Sequence, residues 1–170
     1  MDEFELDDTQ NRGPRPGFLT VLCVLSFIAT GLGVLTNVFN FVSGPQSEEQ
    51  MLEAKVALTQ SISTLKDAGM TSFVDLMDKI QAMSEQVNEN FYLAAVISLI
   101  TVAIGLFGVI KMWQGFKVGF HLYIGYCLLS IAGLYIYVSA ENIPTMVVVW
   151  NLILSALFVF LYSRNLKWMR

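Results

Sequence analysis

The stretch Phe91-Tyr-Leu-Ala-Ala-Val-Ile-Ser-Leu-Ile-Thr-Val-Ala-Ile-Gly-Leu-Phe-Gly-Val-Ile110 contains no Asp, Glu, Lys or Arg, and its small and polar residues recur at steps of three and four. Ala94, Ser98, Thr101, Gly105 and Gly108 therefore share one face of a helix about as long as the ~20 residues that span a hydrocarbon core. Three further uncharged runs, 17–42, 118–140 and 145–163, have the same form. The first carries Cys23, Ser26, Thr30, Gly33, Asn37 and Asn40 at that spacing. The third carries Gly119, Tyr123, Tyr126, Ser130, Gly133 and Tyr137. The fourth carries Pro144, Val148, Asn151, Ser155, Phe158 and Tyr162. Four membrane helices, each turning a small or polar seam toward its neighbours, predict an all-α, left-handed four-helix bundle.

Composition agrees with that reading. The chain of 170 residues is 55% hydrophobic and 14% charged, where a soluble domain has roughly 25% charge. Outside the spans there remain an acidic, then proline-containing leader (1–16), a loop (43–90), short connections and a basic tail (164–170). None has room for a separate globular domain. The leader has too little apolar surface to repay ordering and reads as a disordered tail. Its first nine residues hold five acids and no base, which does not fit a cleavable signal peptide, so the first span is expected to remain as an anchor.

Arg12 and Arg15 precede the first span, Lys111 and Lys117 lie between the second and third, and Arg164, Lys167 and Arg170 follow the fourth. The positive-inside rule puts all three sets, and both termini, on the cytoplasmic side of a cytoplasmic (inner) membrane. Trp113, Tyr123, Tyr162 and Trp168 then fall near the inner boundary, and Tyr92, Tyr135, Tyr137 and Trp150 near the outer one. The extracytoplasmic loop holds eight acids against Lys55, Lys66 and Lys79. With a net charge of −4, this arrangement excludes nucleic acid as a partner, because the exposed loop would repel phosphate.

The loop has internal order. Gly44 and Pro45 stop the first helix, and Ser47 with Gln50 three residues on has the form of a capping box. Leu52, Val56, Leu58, Ile62 and Leu65 recur at roughly helical spacing until Lys66, Asp67 and Gly69. A second stripe, Phe73, Leu76, Met77, Ile80, Met83 and Val87, leads into Phe91 without a breaker. The pattern predicts a helical hairpin, its two stripes paired, with one continuous helix from about 72 to 112. The short links 111–117 and 141–144 make the second, third and fourth spans antiparallel neighbours.

Chemistry-bearing groups are sparse. Thr30, Thr101, Ser130 and Ser155 fall near one depth at the midplane, with Ser98 on the same seam and Asn37, Asn40 and Asn151 in the outer half. They fit helix association, or the lining of a small cavity or permeation path. Cys23 and Cys127 lie within spans and read as buried packing residues. His121 has no titratable partner in any span, as a proton relay would require. No span contains the ionisable group that ion coupling uses, and no nucleophile–base pair, metal-ligand spacing or phosphate loop occurs. No catalytic residue, cofactor or metal is therefore expected.

The entry Arg15-Pro-Gly-Phe-Leu-Thr-Val-Leu-Cys-Val-Leu-Ser-Phe-Ile28, followed by Gly31-Leu-Gly33, resembles the start of small uncharacterised bacterial four-span membrane proteins. That resemblance implies bacterial origin and four-span topology, and no activity. The large first loop lacks the cysteine pair and Trp-Gly-Leu-Trp signature of claudin-like proteins. The expected role is that of a non-enzymatic integral membrane protein. Besides the lipid bilayer, its expected contacts are another membrane or periplasmic protein, or a second copy of itself, met through the hairpin. The alternative is a small channel or permease using the hydroxyl layer.

Overall fold

The computed structural model describes residues 15–170, and the acidic leader 1–14 lies outside the described residues. The chain forms α1 (Gly17–Ser43), α2 (Glu48–Asp67), α3 (Thr71–Glu89), α4 (Phe91–Trp113), α5 (Lys117–Ala132), α6 (Leu134–Tyr137) and α7 (Thr145–Ser163), with a 3₁₀ turn at Ala140–Asn142. Among the described residues four segments are long and apolar enough to cross a membrane: α1, α4, α5 continued through α6, and α7. This is the make-up of a multi-pass membrane protein.

The four spans are unequally packed. Helix α4 lies between α1 and α5 and packs closely on both, α5 also carries α7, and α1 and α7 barely touch. The closest approach is α4 to α5 through Gly108 and Gly119. A Cβ on Gly119 would collide with the Met112 amide nitrogen and the Gly108 carbonyl oxygen. Glycine is thus required there for the backbones to meet, as at other small-residue interfaces in membranes. The core gathers at the end of the bundle that holds both described termini: Leu19, Leu22, Cys23, Val109, Met112, Phe120, Tyr123, Tyr162 and Met169 are buried together.

The basic tail 164–170 is ordered against the bundle. It folds back so that Arg170 N donates to Gly115 O at 2.8 Å and Lys117 N to Arg170 O at 2.6 Å, with Met169 and Asn165 buried. Gly115, at φ 82°, supplies the turn that presents its carbonyl. Beside this clasp the Arg15 guanidinium sits 4.0 Å from the Trp113 ring centre and donates to Trp113 O.

At the other end, α2 and α3 pair as a hairpin. The capping box is present in full, with Ser47 Oγ accepting from Gln50 N and Gln50 Oε1 from Ser47 N. Gly44 (φ 79°) and Gly69 (φ 74°) make the turns on either side of α2. The pairing keeps Leu58, Ile62 and Leu65 of the expected stripe and departs from it at Leu52 and Val56. Ile62 is buried, Met51, Leu58 and Leu65 are half-buried, and Lys55 pairs with Glu85 at 3.2 Å, whereas Leu52 and Val56 face outward. Positions 51, 55, 58, 62 and 65 follow the steps of four and three that a helix pair uses. On α3, Val74 is buried and Phe73 exposed. Leu76, Met77, Ile80, Met83 and Val87 are half-buried.

The continuous helix from 72 to 112 is interrupted. Asn90, at φ −100° and ψ 27°, separates α3 from α4, although Asn90 N still donates to Gln86 O and Ala94 N to Asn90 O. The bend is held from across the fold: Asn90 Nδ2 donates to Tyr137 O at 3.2 Å, Gln86 Nε2 to Ser139 Oγ at 3.2 Å, and Ser139 N to Gln86 Oε1 at 2.8 Å. Phe73 and Leu76 line a groove with Pro144 and Met146 at the first turn of α7. On a straight continuation of α4, Phe73 would stand about 25 Å beyond Asn90. Helix α3 therefore leans across the bundle's end.

The third span also stops earlier than residue 140. It pauses at Gly133 and ends at Tyr137, after which Val138 and Ile143 take extended backbone and bury their side chains under α3.

Candidate functional site: a divided polar seam within the bundle

The seam residues fall into two groups. Thr30, Ser130, Asn151 and Ser155 line a cavity of about 250 Å³ between α1, α5 and α7, together with Ser26, Tyr123, Tyr126 and Cys127. Asn37, Ser98 and Thr101 line a second cavity, of about 160 Å³, between α1, α4 and α5. Ser130 and Tyr126 border both. The divider is explained by Gly105: a Cβ there would stand 2.7 Å from Tyr126 Cδ2, so the bare glycine makes room for the ring against α4. The four midplane hydroxyls consequently do not meet in one place. Thr101 faces the smaller cavity, Thr30 and Ser155 the larger, and Ser130 lies between the two.

Most seam groups are satisfied within their own helices. Thr30 Oγ1 donates to Ser26 O at 2.7 Å, Thr101 Oγ1 to Ile97 O at 2.7 Å, Asn37 Nδ2 to Gly33 O at 2.8 Å, and Ser130 Oγ to Cys127 O at 2.8 Å. These i−3 and i−4 bonds silence the hydroxyls without tying helices together. Ties between helices are fewer. Tyr162 Oη donates to Ser26 Oγ at 2.8 Å, Asn151 Oδ1 accepts from Ser155 Oγ within α7 at 3.3 Å, and the Ser130 proton given to Cys127 O is at most shared with Asn151 Oδ1, 3.4 Å away.

The termini-side limit of the larger cavity is aromatic. The Tyr123 and Tyr162 ring centres lie 5.1 Å apart, above the buried cluster of Leu19, Leu22, Met112 and Phe120. Tyr162, placed near a membrane boundary by its residue type, is fully buried. Its position on the fourth seam, seven residues beyond Ser155, was the available signal. Cys23 and Cys127 are buried free thiols, and the exposed His121 donates from Nδ1 to Lys117 O at 3.0 Å. Among the described residues no three His, Cys, Asp or Glu side chains come together as a metal site would require.

Outside the spans, α2 presents a shallow apolar face. Leu52 is 62% exposed and Val56 51% exposed, side by side with Lys55, Thr59, Gln60 and Ser63. Helix α2 packs on α3 and on no other helix to a similar extent, and Ile62 is its one buried residue. The paired carboxyl of Glu85 is held below the usual carboxylate range, first by the Gln81 amide that donates to it at 3.1 Å and then by Lys55.

No family model matches the chain, and neither a curated protein nor a solved structure is similar to it.

Proposed function

We propose that the protein is a non-enzymatic, multi-pass component of a bacterial cytoplasmic membrane, with both termini in the cytoplasm. In this reading the α2–α3 hairpin is an extracytoplasmic recognition element for another membrane or periplasmic protein. The observation that carries the proposal is the exposure of Leu52 and Val56. Apolar side chains on α1, α4, α5 and α7 have lipid to face, but those on α2 stand outside the spans, on a helix that one neighbour holds. An apolar pair in such a setting marks an interaction surface more readily than a solvated face does. The partner surface that suits it is apolar with a basic rim, because the hairpin carries eight acids against three lysines.

The permeation alternative draws support from the polar lining. Against it stands the buried aromatic and aliphatic plug at the termini end, where a route along the bundle axis would have to pass. The lining hydroxyls are also largely occupied by their own helices' carbonyls.

A photoreactive residue at Val56, used in native membranes, tests the recognition element. The expected result is one protein adduct; with the photoreactive residue moved to Thr59 on the same face, the adduct forms again and is abolished by the double substitution L52D/V56D. Adducts with lipid alone overturn the proposal. Orientation is tested by single cysteines at Ser61 and Lys167 in a background lacking Cys23 and Cys127. Intact cells label Ser61 and not Lys167, and the reverse pattern inverts the topology.

A further inference from the structure

The larger cavity lies between α1, α5 and α7. Its floor is the α5 face that includes Tyr126 and Ser130, and its walls are Leu25 to Thr30 of α1 and Asn151 to Phe158 of α7. Helices α1 and α7 hardly touch, and the rim side chains Leu25, Ala29 and Leu154 are exposed. The cavity is therefore open sideways, toward the space that the bilayer fills, while the plug closes it toward the termini.

Its polar groups are unevenly satisfied. Asn151 Oδ1 accepts from Ser155 Oγ at 3.3 Å and lies 3.4 Å from Ser130 Oγ, whose one proton goes chiefly to Cys127 O. Among the described residues, however, the Asn151 Nδ2 amide makes none, and neither does the hydroxyl of Tyr126, which lines the same cavity. At this depth there is no bulk water to take up these donors, and each unsatisfied group in hydrocarbon costs several kcal/mol. The free amide can only donate and the phenol hydroxyl can donate beside it, so an occupant with an acceptor oxygen satisfies both. Among the described residues no Asp, Glu, Lys or Arg lines the cavity, so a charged headgroup would enter without a counter-charge. The occupant is thus neutral. A dry cavity of ~150 Å³ holds benzene, so about 250 Å³ holds a group of about ten non-hydrogen atoms. Tyr123, Tyr126 and Phe158 offer aromatic walls to it.

We propose that the cavity between α1, α5 and α7 is a membrane-facing site for the carbonyl-bearing end of a neutral amphiphile, whose apolar chain stays in the lipid between α1 and α7. An acylglycerol ester and a ring ketone of a long-chain quinone both present this chemistry. They are distinguished by using both as probes.

The full chain in phosphatidylcholine nanodiscs is titrated with dioleoylglycerol and, separately, with a decyl-substituted benzoquinone, and binding is read by thermal unfolding and native mass spectrometry. One of the two is expected to saturate at one molecule per chain and raise the unfolding temperature. A29W, which plugs the rim, and N151L, which removes the free amide, each raise the half-saturating concentration about tenfold or more, equivalent to about 1.4 kcal/mol. Y126F removes a hydroxyl that bonds nothing in the protein, so it folds like the parent and supplies the readout should N151L misfold. It is expected to weaken the same probe about threefold or more. Saturation by neither probe overturns the proposal. So does binding that A29W and Y126F leave unchanged.

Discussion

The α4–α5 contact and the α1–α7 contact are built from the same kinds of residue and come out opposite. Between α4 and α5, Gly108 faces Gly119 so closely that no Cβ fits on the latter. Between α1 and α7, the facing seam residues are Ser26, Thr30, Asn151 and Ser155, and a cavity remains. In lipid there is no hydrophobic drive between helices, so contact comes from backbone approach and from hydrogen bonds that actually cross. Glycine supplies the first. Serine and threonine that bond their own helices supply neither, so α7 rests chiefly on α5 and meets α1 through the Tyr162 to Ser26 bond.

The comparison breaks first at its tight side. G119A should destabilise the protein by about 3 kcal/mol, since the collision is with backbone and not with a flexible side chain. G125A, where a Cβ meets nothing within 4 Å, should be neutral. Thermal unfolding in micelles separates the two, and equal stabilities would show that the close approach is not what holds α5.

On the loose side, Y162F should cost about 1 kcal/mol, because the Tyr162 to Ser26 bond is buried and crosses between helices. The loss should appear as faster amide exchange in α7 while α4 is unchanged. A29L, which adds bulk at the cavity rim, should stay within about 0.5 kcal/mol of the parent. A cost as large as that of G119A would mean the cavity collapses in the membrane.

The smallest effect lies in the hairpin. The folded-state pKa of Glu85 is below its unfolded value, so its stabilisation is present above the ordinary carboxylate pKa of about 4.3. It is lost as pH falls through the lowered folded value. The pair is substantially exposed, so solvent screening keeps the contribution to about 0.2–1 kcal/mol. Amide exchange across residues 51–89 should quicken in acid in the parent. E85Q should start from the quicker rate at neutral pH and respond less to acid.

The spans were legible because a charge-free run of about twenty residues has few other uses. The capping box at Ser47 was legible because it is a local exchange of two hydrogen bonds. The bend at Asn90 was not, since its cause is Tyr137 and Ser139, about fifty residues away. The first turns of α2 were ambiguous for a different reason: Leu52 with Val56 and Met51 with Lys55 both satisfy helical spacing ahead of Leu58, and only the partner helix selects between them. The seam residues could be placed on one face of each helix. Their division into two cavities depends on where the Tyr126 ring rests, which Gly105 decides from another helix. The folded-back tail escaped because its ties to Gly115 and Lys117 are main-chain bonds, to which side-chain identity gives no clue.

The lean of α3 has a mechanical consequence. With its C-terminal end pinned by Gln86 and Asn90 to residues 137–139 and its N-terminal half beside Pro144 and Met146, α3 is a lever laid over the least tightly held helix of the bundle. A load applied to α2 is delivered to the first turn of α7, two turns above Asn151, and not down the axis of α4.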